Sequence, residues 1–441
     1  MQKLNVTFCS YPDFSSNARP LYKYMKKRYK NQMNFTWIVR TDDMFNKLNK
    51  IGIHVLKINT QEYFNYILKS NIIFSTHGDL IQDKPNKCIY IDLWHGIGCK
   101  KSGFILDKIS NEEKDWCTKF SKKVDYMIVP SEFWAILFAS IFKIDKEQIL
   151  ELGYPKFDEF TKPNALKKLS KVLNQDLTKY SKIILYAPTF KSGVGRLDES
   201  DKNQSNIIDL KEYDNIKMLT YLKKKNYLLC IKTHPSEECV YKDNIDKENI
   251  KIIKSKRLQE LDITLNEILD ATDVLVSDYS SLIVEYTFLK KPVICINTSL
   301  DIYSKNRGIV YNDYDFWTTG LSANDFNGFI KCIDTAFSTN INENDLYNNK
   351  RHLWLDNCKN GGCKKICDYI FDGCKISDRV RYHEDIVQKY KTIIKDQNSK
   401  IDSSLKTISS QKLIITQQSE QLNNIVNSKR WKFINFISKF K

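Results

Sequence analysis

The chain has 441 residues, 42% hydrophobic and 12% aromatic, which is enough to fill two or more packed domains and excludes general disorder. Its formal net charge of +16 calls for an anionic partner. No helix-turn-helix, RNA-binding-sheet or zinc-finger pattern accompanies that charge, so nucleic acid is set aside in favour of phosphate-rich substrates or an anionic membrane surface.

The opening MQKLNVTFCSYPDF turns polar too early for a secretory leader. Short β-rich runs then alternate with helical stretches, the pattern of an α/β protein built on parallel sheets. In the first half the runs are Leu4–Cys9, Phe35–Val39, His54–Ile58, Ile72–Ser75, Cys88–Leu93 and Tyr126–Pro130. A helix is expected over Pro20–Tyr29, with Pro20 near its start. Phe133–Ile144 is the longest apolar run, the length of a buried helix and too short to span a bilayer. After the polar stretch 161–182, read as a linker, the runs resume at Ile183–Ala187, Tyr227–Ile231, Ile250–Ile253, Val274–Ser277 and Val293–Ile296. The expected domains are therefore 1–160 and 183–375, facing a cleft, with ligands at the C-terminal strand ends.

Three strand ends carry residues suited to phosphate chemistry. His95 follows an apolar run and precedes Gly96, with Lys100 nearby; an imidazole there can take a hydroxyl proton, and the glycines permit close ligand approach. The bland alternative is a structural histidine with satisfied hydrogen bonds. His234, before Pro235, has the same layout, and Thr189 and Lys191 end another run as phosphate donors. The turn Ser277-Asp278-Tyr279-Ser280-Ser281 leads into a helical segment, where free N–H groups and two hydroxyls suit an anion. Serines there also cap helices, and the turn alone does not separate the two readings.

The twelve cysteines are scattered, with Cys230, Cys295 and Cys332 inside apolar runs, and they indicate a reducing cytosol. Cys358, Cys363, Cys367 and Cys374 cluster, but their spacing is not that of zinc knuckles, so they are expected to be packing positions without a metal. Beyond Ile376, Val380, Val387, Ile394, Ile401, Ile408, Ile415 and Leu422 recur every seven residues. This predicts a long helix or coiled coil over 376–427, either a homo-oligomer or a solitary helix, since the complementary column is polar. In 428–441, Phe433, Phe436, Ile437 and Phe440 share a helical face beside Trp431, with Lys432 opposite. Such a cationic amphipathic helix suits an anionic membrane surface, and docking on the protein body is the alternative. Residues 376–441 hold 13 basic and 6 acidic side chains, a net of +7.

The segments SYPDFSSNARPLYKYM (10–25), LWHGIGCKK (93–101), VPSEFW (129–134), LGYPKFDEF (152–160), ILYAPTFK (184–191), KTHP (232–235), VSDYSSLIVEYTFLKKPVI (276–294) and Tyr303 with Arg307-Gly308 resemble, in that order, the CDP-glycerol glycerophosphotransferases, which build teichoic acids and related phosphate-linked capsular polymers. The resemblance implies a GT-B architecture of two Rossmann-like domains, a CDP-alcohol donor, a lipid-linked or polymer acceptor, and no cofactor or metal. It assigns His95 as the base, and His234 as a pyrophosphate ligand together with Ser280 and Ser281. It assigns Glu285 to the ribose, Arg307 to a further phosphate, and Gly96, Lys100 and Asp158 to acceptor or supporting positions. The chain departs from the family pattern at Ile97-Gly98, where Thr-Pro is usual, and at Lys156 and Lys191, where arginine is usual. Lysine keeps the charge but loses bidentate phosphate geometry. The expected activity is transfer of glycerol phosphate or a related polyol phosphate with release of CMP, at the cytoplasmic face of the membrane. A nucleotide-sugar glycosyltransferase and a non-catalytic capsule scaffold are the alternatives.

Overall fold

The apolar runs fold into two parallel sheets in a computed structural model that describes residues 3–189, 208, 210–233, 247–298, 300–359, 361–372 and 376–427. The first sheet holds β1 (Leu4–Cys9), β2 (Met33–Val39), β3 (Val55–Lys57), β4 (Ile72–Ser75), β5 (Ile89–Asp92), β6 (Tyr126–Ile128) and β7 (Ile149–Leu150), in the order β3-β2-β1-β4-β5-β6-β7. The second holds β8 (Lys182–Tyr186), β9 (Tyr227–Ile231), β10 (Ile250–Ile252), β11 (Val274–Ser277), β12 (Val293–Ile296) and β13 (Leu321–Ala323), in the order β10-β9-β8-β11-β12-β13. Both orders reverse direction once, between β1 and β4 and between β8 and β11. Strands diverging from such a point leave a crevice beyond their C-terminal ends.

Near-continuous burial of the central strands explains why they read as apolar runs rather than alternating ones. Phe8 of β1 is fully buried between Trp37 of β2 and Phe74 of β4, with ring centroids 5.5 and 5.1 Å away. Two short strands, β7 and β13, lie where no strand was expected; runs of two or three edge residues carry no period. The polar stretch 161–182 contains the helix Ala165–Leu173.

The two halves are joined by polar as well as apolar contacts. Arg19, in the helix Ala18–Arg28, is 2% exposed and pairs with buried Glu159 at 3.1 Å and with Glu267 and Asp262 of the second half at 3.4 and 3.1 Å. The helix Glu132–Phe142, formed by the long apolar run, meets the later helix Asp345–Leu355: Trp134 Nε1 donates to the Trp354 carbonyl at 2.9 Å. The chain therefore returns to its first half before residue 372.

Cys358, Cys363 and Cys367 are buried around the helix Gly362–Cys367, with the Cys363 thiol against the Pro155 carbonyl. Cys374 lies outside the described residues. Residues 373–441 are a separate unit, in which Ile376–Asn427 is one helix. Its heptad residues Ile401, Ile408, Ile415 and Leu422 are each more than half exposed. Residues 428–441, with Trp431, Lys432, Phe433, Phe436, Ile437 and Phe440, lie outside the described residues.

Candidate active site

β4 and β5 pair in register, Ser75 beside Asp92, so the turns that follow them leave the sheet side by side. Each has the form X-His-Gly: Thr76-His77-Gly78 and Trp94-His95-Gly96. One carboxylate fixes both. Asp92, fully buried, accepts the Gly78 N–H on Oδ2 and the Trp94 N–H on Oδ1, each at 2.7 Å. Burial pushes the Asp92 pKa up to about 7, while the two backbone donors pull it down. Gly78 adopts φ +67°, and a side chain there would run into Trp116. The Trp94 ring anchors the second turn in the core, against Phe138 and Phe142 of the buried helix at 5.8 and 4.8 Å.

The two imidazoles that result are stacked, 3.9 Å between centroids and 5° from parallel. His95 Nδ1 lies 3.3 Å from the Thr76 carbonyl. A carbonyl only accepts, so this bond puts the His95 proton on Nδ1 and leaves Nε2 as the basic atom. His95 is open to solvent on one side and crowded by protein on the others. Loss of surrounding water pushes its pKa down to about 4, against the Thr76 bond, with Lys156 and Lys100 adding to the fall. His77 is pushed down to about 3, first by burial and then by the charges His95 and Arg40 would present to it. Both rings are therefore neutral at physiological pH.

The loop after β1 supports this pair. Asn17 donates to the carbonyls of Leu93 and Trp94 at 3.0 and 2.8 Å, and its oxygen accepts the Lys156 N–H at 3.0 Å. Asp13 accepts the N–H groups of Arg40 and Thr41, and the Arg40 guanidinium bridges Asp13 and Asp79.

In the second sheet, Asp278 Oδ1 accepts the N–H groups of Thr189 and Tyr279, each at 2.7 Å, joining the ends of β8 and β11. Ser277 Oγ donates to the Ala187 carbonyl at 2.5 Å. Ser280 Oγ accepts the Leu282 N–H at 3.2 Å and so does cap, whereas Ser281 makes no capping bond. The helix it opens, Leu282–Tyr286, is five residues long and passes into a 3-10 turn, so its dipole is small. The hydroxyls of Thr189 and Thr233, beyond paired β8 and β9, are buried without a hydrogen-bond partner among the described residues.

The histidine turn and the serine turn meet across the crevice. A Cβ on Gly96 would lie 3.1 Å from Ser281 Oγ and 3.3 Å from Glu285 Oε1; one on Gly98 would lie 3.1 Å from Ser281 Cα. Lys156, 4% exposed, donates from Nζ to the His95 carbonyl at 2.9 Å and to Glu285 Oε1 at 2.5 Å. One ammonium thus holds the backbone of the histidine turn and the carboxylate of the opposite half. Beside it, Val310 N–H donates to the Cys99 carbonyl and Lys101 N–H to the Gly308 carbonyl, at 2.8 and 3.2 Å.

Of the residues expected at the site, His95, Gly96, Lys100, Ser280, Ser281 and Glu285 come together around this crevice, with Thr189, Ser277 and Asp278 in the adjoining wall. Glu285 Oε1 is engaged by Lys156. Asp158 is turned away from the crevice: its carboxylate accepts the N–H groups of Gly362 and Cys363 at 2.8 and 3.0 Å and caps their helix, a supporting role only. Lys191, His234 and the Arg307 side chain lie outside the described residues. Sequence reading missed His77, Asp92 and Asn17, and noted Lys156 only as a departure from the family's arginine. The repeated X-His-Gly form was the available signal for His77.

Residues 1–372 match the family described as CDP-glycerol:poly(glycerophosphate) glycerophosphotransferase. The chain belongs to this family. It is 30% identical over 341 residues to the teichoic acid glycerol-phosphate primase of Bacillus subtilis strain 168, covering 74% of this chain and 82% of that one. It is 28% identical over 293 residues to the teichoic acid ribitol-phosphate primase of Bacillus spizizenii strain W23, covering 65% and 70%. The solved structure of the wall teichoic acid polymerase TagF superposes with a TM-score of 0.67 over 88% of this chain and 90% of that one, at 20% identity. That likeness bears out the expected GT-B-like arrangement of two parallel-sheet domains.

Proposed function

We propose that this glycerophosphotransferase family member moves glycerol phosphate from CDP-glycerol to a hydroxyl of a lipid-linked or capsular/teichoic polymer. The observation that carries the reading is the neutral His95 turn seated against the Ser280-Ser281 turn across a parallel-sheet crevice. The acceptor oxygen attacks the glycerol-bearing phosphorus while its proton passes to His95 Nε2. The bond from that phosphorus to the CMP oxygen breaks, and CMP leaves with the electron pair. Thr189, Lys191, Ser280, Ser281, His234 and Arg307 are the proposed donor-binding residues, and Lys156 joins them as a fixed positive charge beside the reacting phosphates. Positioning and charge stabilisation of this kind supply most of the acceleration in phosphoryl transfer. The reading includes no metal or other cofactor.

The test is CMP release from CDP-glycerol, CDP-ribitol and UDP- and GDP-sugars, with membrane acceptor and with EDTA added. CDP-glycerol is expected to be the best donor, and His95→Ala to lower the rate by about 10²–10⁴-fold. Full activity in that variant overturns the assignment of the base. The similarity to a ribitol-phosphate primase makes CDP-ribitol the second reading, and its preference in the same panel would establish it.

The heptad column and the basic tail support a peripheral position on the cytoplasmic face of the membrane. Among the described residues no helix is long and apolar enough to cross one. The exposed column Ile401, Ile408, Ile415 and Leu422 is the proposed homo-oligomer contact. Binding to anionic liposomes is expected to be lost on deleting residues 428–441; retention refutes the amphipathic anchor.

A further inference from the structure

We propose that His77 is a positioning residue for His95: its neutral ring is the plate against which the base is held in one plane and one tautomer. The inference rests on the reading of His95 as the base. Three observations carry it. The rings are 3.9 Å apart and 5° from parallel, closer and flatter than the surrounding aromatic contacts of either histidine. Both turns hang from the same Asp92 carboxylate, so the stack is built into adjacent strand ends.

Thr76, finally, serves both rings. Its carbonyl takes the His95 Nδ1 proton, and its Oγ1 lies 2.9 Å from His77 Nδ1. Thr76 Oγ1 accepts the Tyr11 N–H at 3.3 Å and keeps one proton to donate and one lone pair beside His77 Nδ1. The same threonine thus holds a ring nitrogen of each histidine, one through its carbonyl and one through its hydroxyl.

Among the described residues, Tyr11 meets the His77 ring edge-on at 5.7 Å and charged groups flank both rings. Arg40, beyond β2, faces His77 and is itself bridged to Asp13 and Asp79. Lys156 and Lys100 face His95, and Asp92 lies beneath both turns. A proton on either ring would be disfavoured by these cations and would lie against the other ring, 3.9 Å away between centroids. A plate that stays neutral keeps His95 able to accept a proton over the whole physiological range, which a lone exposed imidazole, titrating near 6.5, does not. His77 itself exchanges no proton with the substrate in this scheme.

The experiment compares His77→Ala with His77→Phe in the full-length chain. Long-range ¹⁵N NMR of the histidine rings reads the His95 tautomer and titration without any substrate. CMP release from CDP-glycerol gives kcat, donor KM and the pH profile. The expected result for His77→Ala is a His95 midpoint raised by about one pH unit, the acid limb of kcat moving with it, kcat lowered about tenfold and donor KM changed less than twofold. His77→Phe, which keeps a flat ring, is expected to restore most of kcat and the Nδ1–H tautomer. An unmoved His95 midpoint and tautomer in folded His77→Ala overturns the proposal, as does a His77→Phe enzyme as slow as His77→Ala, which would assign the role to a His77 nitrogen. If the NMR changes appear while the wild-type chain releases no CMP, the positioning stands and the donor reading fails.

Discussion

In the first sheet, the turns after β4 and β5 are held by a buried carboxylate that accepts two N–H groups, and their rings are stacked and bonded to the same threonine. At the corresponding edge of the second sheet, the ends of β8 and β9 keep two buried threonine hydroxyls, Thr189 and Thr233, without a partner among the described residues. The first arrangement is finished by the protein itself. In the second, the two hydroxyls without a partner among the described residues are placed to donate to an anionic oxygen of the proposed donor. On the proposed function, a base preset by the protein faces a wall whose hydroxyls await the donor.

The largest test concerns the contact that makes the two halves comparable at all. Arg19→Ala removes the buried cation shared by Glu159 and Glu267, leaving Glu159 only Lys162 at 3.6 Å and the Thr264 hydroxyl at 3.0 Å, and is expected to cost about 3 kcal/mol in urea unfolding, the low end for a broken buried pair. A loss below about 1 kcal/mol would mean that the ion cluster is dispensable for joining them. Asp92→Asn strikes the rigid side alone. An amide offers one acceptor where two N–H groups need one each, so stability should fall by about 1–3 kcal/mol and kcat with it. Wild-type kcat in that variant removes the claim that the carboxylate sets the histidine turns.

Thr189→Val is the converse case. Its hydroxyl has no bond to lose among the described residues, so unfolding free energy should stay within about 0.5 kcal/mol, while KM for CDP-glycerol rises about tenfold or more. Equal loss of stability and of donor affinity would erase the contrast between the two walls. The smallest effect is on pH. Both imidazoles are held below their unfolded value of 6.5, so their contribution to stability is complete above pH 6.5 and is lost as pH falls through about 4 and 3. Wild-type Tm should therefore fall more steeply than that of His77→Phe between pH 6.5 and pH 4. Parallel curves would show that the ring of His77 stays as easy to protonate as in the unfolded chain.

The sequence makes the central strands legible because full burial on both faces writes them as apolar runs: β1, β4, β9, β11 and β12 match their expected spans residue for residue. The edges β7 and β13 are too short to leave a pattern, and the helix after Ser281 is cut short by the 3-10 turn at Thr287. At the site, residues with a motif of their own were legible, His95 and the serine pair above all. Those whose importance comes from contacts distant in sequence were not. Asp92 acts through a turn fourteen residues earlier, Lys156 through a carboxylate 129 residues later, and Arg19 through Glu267, 248 residues away. No local spacing announces such partners.

Gly96 and Gly98 act as shims of zero thickness between the two halves. A methyl group at 96 meets a serine hydroxyl, which can rotate aside; one at 98 meets the Ser281 backbone, which cannot. Alanine at the first position is thus a soft spacer and at the second a hard wedge. The pair gives an experimenter a two-step gauge for prying the histidine turn from the serine turn by fractions of an ångström.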